Sequence, residues 1–409
     1  MGESVTIQLT DTAAVFHSRS SNEYYNNADK NKNNAEEFRQ AFSKVVEKGK
    51  DVQKKLQFAG KEQWGALIPS KTYLVTPVLI YLNILVFILM VIMGISFITP
   101  DTASLIHWGG DFRSLVKAGE WWRLSTYMFL HAGIIHLLAN MLALLYIGMY
   151  LEPLLGRFRF ATAYLLTGIC AGLTSIVIHQ FSVGVGASGA IFGMYGFFLA
   201  LLTTNYIQRI VRNTMLKSIL FFVTYNLLYG MKGNVDNAAH IGGLVSGFFI
   251  GYVFYPSIKQ DKPVKPQAWL ASAILAVVLL LSATTVYFLT DVIGIYQSKM
   301  KQFANMEAMA LEVYKMDSTA PKKDILYNIK DRGIYYWNEE IKLLHEIADL
   351  GLPVEFRDRN EVMLQYCNLR IKSYELLYKK VDEGSNSYDT KLAEYDKEIT
   401  HLLDYFSRN

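Results

Sequence analysis

A serine set among small residues, two histidines and an asparagine are the side chains whose types and placement could do covalent chemistry. Ser188 lies in Gly186-Ala187-Ser188-Gly189, directly before an apolar run. His240 lies in Ala238-Ala239-His240-Ile241-Gly242-Gly243, at the head of another, and His136 and Asn140 stand four apart at the head of a third. A serine hydroxyl becomes a nucleophile when an imidazole within hydrogen-bond reach takes its proton. A helix starting at Ser188 would set unpaired backbone N–H groups and a positive dipole end beside that hydroxyl, and such groups can hold an oxyanion. Spacing of four puts His136 and Asn140 on one helix face, where their donors could line the same oxyanion site. Each feature also has an ordinary explanation. A serine among glycines in a membrane helix is usually a packing residue, a lone membrane histidine is more often structural than catalytic, and a His–Asn pair can clamp two helices together.

The elements that must position these residues are membrane spans. The chain of 409 residues is 52% hydrophobic and 19% charged, but the charges are segregated. They crowd residues 1–72 and 295–409 and thin out between about Tyr73 and Thr290. A spanning helix needs about 20 largely apolar residues. Seven candidates emerge: Tyr73–Ile98, His136–Leu151, Phe158–Gln180, Ser188–Ile207, Met215–Gly230, Ala238–Tyr255 and Ala268–Val292. Several are short for a full crossing, and the histidines at the heads of the second and sixth suggest polar helix ends inside the membrane.

Basic residues give the direction. Lys54, Lys55, Lys61 and Lys71, then Arg157 and Arg159, then Arg209, Arg212 and Lys217, then Lys259, Lys262 and Lys265 all fall on one side, which should be cytoplasmic. On the other side Phe181–Ala187 carries no charge, Met231–Asn237 has only Lys232 and Asp236, and the first outer loop, about Thr99–Trp122, is long and mixed. The N-terminus is then inside and, with seven spans, the C-terminal tail outside. Even-numbered spans run inward, so His136, Ser188 and His240 share one depth near the outer face. His240, Gly243, Gly247 and Gly251 form a stripe on the sixth span, and Gly189 and Gly193 a second on the fourth. Such stripes let helix backbones approach closely, as a Ser–His hydrogen bond between these spans requires.

Other classes are excluded. A net charge of +4 without a basic stripe gives no reason for nucleic acid. The two cysteines, Cys170 and Cys367, make no disulfide framework, and no Cys/His spacing suits a metal. The start of the chain has no signal-peptide pattern, so the first span itself should direct insertion.

Four segments, in order, resemble the rhomboid family of intramembrane proteases: Glu120-Trp121-Trp122-Arg123-Leu124, His131-Ala132-Gly133-Ile134-Ile135-His136-Leu137-Leu138-Ala139-Asn140, Gly186-Ala187-Ser188-Gly189-Ala190-Ile191-Phe192-Gly193, and Ala239-His240-Ile241-Gly242-Gly243-Leu244-Val245-Ser246-Gly247. The resemblance covers about Tyr73–Tyr255. It implies an all-α polytopic fold, a six-helix bundle with a seventh C-terminal span, between soluble helical flanks. It implies a serine endopeptidase that needs no metal or organic cofactor. Ser188 is implied as nucleophile and His240 as its base, with no acidic third member. His136, Asn140 and the Ser188 N–H are implied as the oxyanion hole. Trp122 and Arg123 match a structural pair of the first outer loop; Gly186, Gly189, Gly243 and Gly247 belong to the matching motifs. Glu152 corresponds to a buried structural glutamate. Phe192 stands where some members have a tyrosine against the catalytic histidine, and should keep the stacking. The implied partners are transmembrane substrates and membrane lipid, and the implied seat is the plasma membrane of a bacterium.

The expected domains are a cytoplasmic flank, 1–72; a catalytic membrane domain, 73–255; a linker and seventh span, 256–294; and a soluble helical domain, 295–409. In the first flank an Asn-rich patch, Tyr24–Asn34, reads as disordered, and Phe38–Leu56 as a short charged helix. The tail has helical periodicity over Asn338–Leu350 and Arg359–Val381, which suits a solvated helical domain or a protein-binding one. Two alternatives stand beside the protease. A catalytically inactive, client-binding relative would typically lack the serine or the histidine, and both are present. A transporter would show inverted repeats and a midplane site, whereas the polar residues here gather near one face.

Overall fold

The computed structural model describes residues 3–9, 14–20, a few positions between 33 and 43, and 65–408 except 208, 233–234, 260–263 and 318. The Asn-rich patch and the charged helix expected over Phe38–Leu56 lie almost wholly outside the described residues. The N-terminal flank departs from the helical expectation. Strand β1 (Glu3–Leu9) pairs antiparallel with β2 (Ala14–Ser20), Ile7 opposite Phe16. The run Val5-Thr6-Ile7 is rich in β-branched residues, which favour a pleated strand over a helix.

The described chain divides into two compact units, Met1–Leu289 and Thr290–Asn409. The first holds seven long helices among its described residues: α1 (Val75–Ile92), α5 (Ile134–Leu155), α6 (Arg157–Ile178), α7 (Ser188–Thr203), α8 (Arg209–Gly230), α9 (Asn237–Lys259) and α10 (Val264–Phe288). Three short helices occupy the loop between α1 and α5: α2 (Thr102–His107), α3 (Arg113–Lys117) and α4 (Arg123–Thr126). Helices α1, α5, α6, α9 and residues Ala271–Phe288 of α10 are long and apolar enough to cross a membrane. This is an all-α, polytopic integral membrane architecture apart from the hairpin.

Helix α7 is the exception that matters. Its 16 residues would rise about 24 Å at 1.5 Å per residue, short of the roughly 30 Å hydrocarbon core. Every residue from Gly189 to Leu202 except Leu199 is buried. A short helix can end inside a membrane when protein, not lipid, surrounds its termini. Enclosure by the longer helices therefore suits a helix too short to cross by itself.

At the opposite end of the bundle Glu152 performs the structural role expected of it. It is fully buried, and its carboxylate accepts the N–H groups of Leu74 and Val75, both at 2.7 Å, and of Thr76 at 2.8 Å. These are the orphan donors at the start of α1, so Glu152 ties the first span to α5. Glu152→Gln would place an amide NH2 against N–H donors that now meet a carboxylate. Leaving one buried donor unpaired costs about 1–3 kcal/mol, and a fall of that order should appear in the unfolding equilibrium of the solubilised protein.

On the side of the first outer loop, Lys117 donates to the carbonyls of Val286 and Tyr287 at the end of α10, at 2.9 and 2.7 Å. A lysine there satisfies unpaired C-terminal carbonyls and suits the negative dipole end. Helix α10 thus ends on the face that carries the loop between α1 and α5.

The second unit contains α11 (Val292–Ala310), α12 (Lys322–Tyr327), α13 (Tyr335–Ala348), α14 (Val354–Glu383) and α15 (Asp389–Arg408). Its core gathers Trp337, Tyr366, Tyr374 and Leu344, with the Trp337 and Tyr366 rings edge to face at 5.4 Å. Glu340 is fully buried among them. Cys367 Sγ donates to its Oε2 at 3.4 Å, while Oε1 has no partner among the described residues. Burial pushes the Glu340 carboxyl up to about 8. A carboxyl held above its unfolded value of about 4.3 stabilises the fold fully below that pH. That contribution is lost as pH rises through the folded value. The thermal midpoint of this unit should therefore fall between pH 5 and pH 8.5, both order-of-magnitude brackets of that window, and Glu340→Gln should flatten the slope. Scanning calorimetry of the intact chain across pH reads both.

Candidate active site

Helices α7 and α9 touch backbone to backbone. A Cβ built on Gly243 would lie 2.0 Å from the Gly189 carbonyl oxygen, and one on Gly247 1.9 Å from that of Gly193. From the other side, a Cβ on Gly196 would lie 2.0 Å from the Leu244 carbonyl oxygen. Only glycines on both faces allow this approach. The stripe read from the sequence is therefore the seam that sets Ser188 against His240. Ser188 Oγ and His240 Nε2 stand 2.9 Å apart, within the range for a nucleophile and its base.

His240 is buried, and its ring is fixed from one side. Phe192, one turn into α7, stacks on it with centroids 4.1 Å apart and planes within 2°. The stacking expected of Phe192 is present without a hydroxyl. His240 Nδ1 has no hydrogen-bond partner among the described residues.

The chain before Ser188 is pinned to the first outer loop. Asp111 and Gly184 exchange backbone hydrogen bonds at 2.9 and 2.8 Å, and Gly186 N–H donates to the Tyr127 carbonyl at 3.0 Å. Gly186 has φ +120°, a conformation that L side chains rarely adopt. A Cβ there would fall 2.8 Å from His136 Cε1 and 2.9 Å from His136 Nε2. The His136 ring therefore edges against the residue two before Ser188. Its Nδ1 accepts the Ala132 N–H at 3.2 Å, which puts the proton of the neutral ring on Nε2, the nitrogen facing Gly186. Asn140 shares this helix face, but one of its Nδ2 hydrogens goes to the His136 carbonyl at 2.9 Å. One of its two amide donors is thus engaged within its own helix, and its Oδ1 has no partner among the described residues.

The other motif residues hold the frame. Arg123 is buried; its guanidinium donates to the carbonyls of Ile106 and Gly110 at 2.6 and 2.9 Å and pairs with Glu120 at 2.7 Å. It also lies 4.6 Å from the Trp122 ring centre. A Cβ on Gly189 would strike Ala171 at 2.7 Å and the Tyr127 hydroxyl at 3.0 Å, so that glycine admits α6 as well.

Several residues at the site carry little or no signal in the sequence. Tyr127 donates to the Gly168 carbonyl at 2.8 Å and receives the Gly186 N–H, yet only its aromatic type is visible there. Asp236 counts solely as a loop charge, although its place four residues before His240 marks it as a helix cap. Asp111, Ser175 and His179 are scattered along the chain and form no pattern. Among the described residues no group of three or more His, Cys, Asp or Glu side chains could hold a metal ion.

Residues 118–257 match the family model for the rhomboid domain. The chain is 40% identical over 156 residues to RHOMBOID-like protein 1 of Arabidopsis thaliana, covering 38% of this chain and 40% of that protein. It is 40% identical over 182 residues to the rhomboid protease GluP of Bacillus subtilis (strain 168), 44% of this chain and 34% of GluP. It is also 34% identical over 167 residues to the inactive RHOMBOID-like protein 8 of Arabidopsis thaliana, 40% of this chain and 48% of that one. The chain spans about half or less of the length of these relatives. Residues 118–257 are a rhomboid domain.

Proposed function

We propose that this protein is an intramembrane serine endopeptidase that cuts transmembrane helices near the outer face of the membrane. The observation that carries the reading is the 2.9 Å contact between Ser188 Oγ and His240 Nε2, made across two helices that glycines bring into backbone contact. His240 takes the Ser188 proton as Oγ attacks the scissile carbonyl carbon, and the carbonyl π electrons move to oxygen. The oxyanion meets the Ser188 N–H at the start of α7, His136 Nε2–H and the second Asn140 N–H. Collapse expels the amine, which leaves with the proton from His240. Water then attacks the acyl-enzyme with His240 again as base, and Ser188 regains its proton. Substrates are transmembrane proteins, and no metal or organic cofactor takes part.

The direction of the chain belongs to this proposal. Basic loops gather at the Glu152 end of the bundle, while the dyad and the end of α10 lie toward the first outer loop. The N-terminus is therefore cytoplasmic and residues 295–409 are outside, in the plasma membrane of a bacterium, with that tail free to bind a protein partner.

The family includes an inactive relative, so membership alone does not give activity. Here both dyad members are present and in contact, which favours catalysis. The test is cleavage of a generic transmembrane substrate in liposomes, together with fluorophosphonate labelling of Ser188. Failure of both in the wild-type protein would establish the inactive, client-binding reading instead.

A further inference from the structure

The proposed reaction leaves unused a polar cluster where α9 begins, with Asp111 and Ser175 buried and Asp236 and His179 half-buried. Asp236 Oδ1 accepts the Ala239 N–H at 2.9 Å, and the Asp236 carbonyl accepts the His240 N–H at 3.1 Å. From α6, Ser175 donates its hydroxyl to Asp236 Oδ2, and His179 Nε2 stands 3.6 Å from Oδ1. From the first outer loop, Asp111 comes to the same wall of α6: a Cβ on Gly172, one turn before Ser175, would lie 2.9 Å from its Oδ2.

The two carboxyls differ. Asp111 is fully buried, and neither of its side-chain oxygens has a partner among the described residues. Burial first, then the neighbouring Asp236, hold it well above the usual carboxylate range, with Arg123 opposing. Burial therefore favours the neutral form of Asp111. Asp236 instead has two donors on its carboxyl, the Ala239 N–H and the Ser175 hydroxyl, with the His179 imidazole 3.6 Å away. The groups facing it are Ser175 and His179 from α6, Asp111 and Tyr127 from the loop between α1 and α5, and His240 in the first turn of α9; Arg123 bears on Asp111 instead.

Among the described residues no acid meets His240 Nδ1, so none of them bonds there to the charge the ring acquires when it takes the serine proton. A carboxylate four residues earlier, directly before α9, is placed to compensate that charge from a distance. It sits at the helix N-terminus and fixes the turn that carries the ring. We propose that Asp236 is a positioning residue of the dyad, setting the His240 ring and favouring its charged form through the first turn of α9 rather than through a bond to the imidazole. This inference rests on the Ser–His reading.

The experiment compares full-length wild type, Asp236→Asn, Asp236→Glu and Asp111→Asn in detergent and in liposomes. Cleavage of a transmembrane substrate and fluorophosphonate labelling are both followed as functions of pH, alongside thermal midpoints. Asparagine caps a helix about as well as aspartate, so Asp236→Asn keeps the cap and removes the charge. The expected result is a fall in kcat of about tenfold with little change in KM. The acid limbs of both profiles should move to lower pH, because the imidazolium loses a stabilising charge. Asp236→Glu should restore part of the rate and the position of the limb. Asp111→Asn, which mimics the neutral acid, should leave the profiles in place. An unchanged kcat in Asp236→Asn, or a loss that tracks a lower thermal midpoint while the acid limbs stay put, would overturn the proposal. A wild-type protein that neither cleaves nor labels would instead overturn the Ser–His reading, a separate outcome.

Discussion

Ser188→Ala and His240→Ala should each reduce cleavage by about 10⁴-fold or more, to the background of the assay, and the double variant should be no slower than either single one. Residues that act as a unit show this non-additivity, because removing either partner already removes the path through the acyl-enzyme. The geometry makes the unit explicit. Ser188 Oγ has His240 Nε2 at 2.9 Å and no other base within hydrogen-bond distance among the described residues. His240 in turn is held by Phe192 stacking and by the first turn of α9. The two substitutions also differ in a useful way. Ser188→Ala removes one oxygen at a helix start and should leave the thermal midpoint nearly unchanged. His240→Ala strips a buried ring from the face of Phe192, so it should lower stability as well as activity. Fluorophosphonate should fail to label Ser188→Ala and label His240→Ala far more slowly than wild type. Cleavage that continues undiminished in either single variant would remove the dyad from the reaction.

Much of this site is legible in the amino-acid sequence, for a physical reason. Hydrocarbon forces long apolar helices, so spans follow from composition, and the direction expected from charge is what would set His136, Ser188 and His240 at one depth. The glycine stripe of Gly243 and Gly247 is legible because only small residues let backbones meet. Phe192 and Glu152 are legible through the family motifs alone. Hidden from the sequence is everything carried by non-local polar contacts. Asp111, Ser175 and Asp236 meet only because the outer loop folds back against α6. The spacing of His136 and Asn140 leaves both Asn140 donors free, whereas one of them is taken by the His136 carbonyl, an i to i−4 bond equally open to any helical asparagine. The hairpin of β1 and β2 is masked because charge and asparagine content dominate that flank, while Val5, Thr6 and Ile7 form too short a β-branched run to outweigh them.

The close approach of α7 and α9 gives the second large expected effect. Gly243→Ala adds one methyl group whose nearest neighbours are backbone atoms of α7, and cleavage should still fall by about 100-fold. The new Cβ would lie 2.0 Å from the Gly189 carbonyl oxygen and 3.2 Å from the Gly193 nitrogen. Both are backbone atoms, which cannot rotate aside as a side-chain tip can, so the helices must separate. Gly189 follows Ser188 directly, so the displacement falls on the nucleophile. A misplacement of about 1 Å is enough to cost about 10²-fold. Gly247→Ala meets an equally tight contact, 1.9 Å from the Gly193 carbonyl oxygen, but one turn further from the dyad. Both substitutions overpack the same seam and should lower stability comparably, by about 1–3 kcal/mol. They should differ in activity, with Gly243→Ala the more damaging. That contrast separates positioning from folding: kcat must fall along the seam toward Ser188 while the thermal midpoints stay together. Equal activities in the two variants, or a wild-type rate in Gly243→Ala, would show that the glycine seam holds the bundle together without setting the distance between Ser188 and His240.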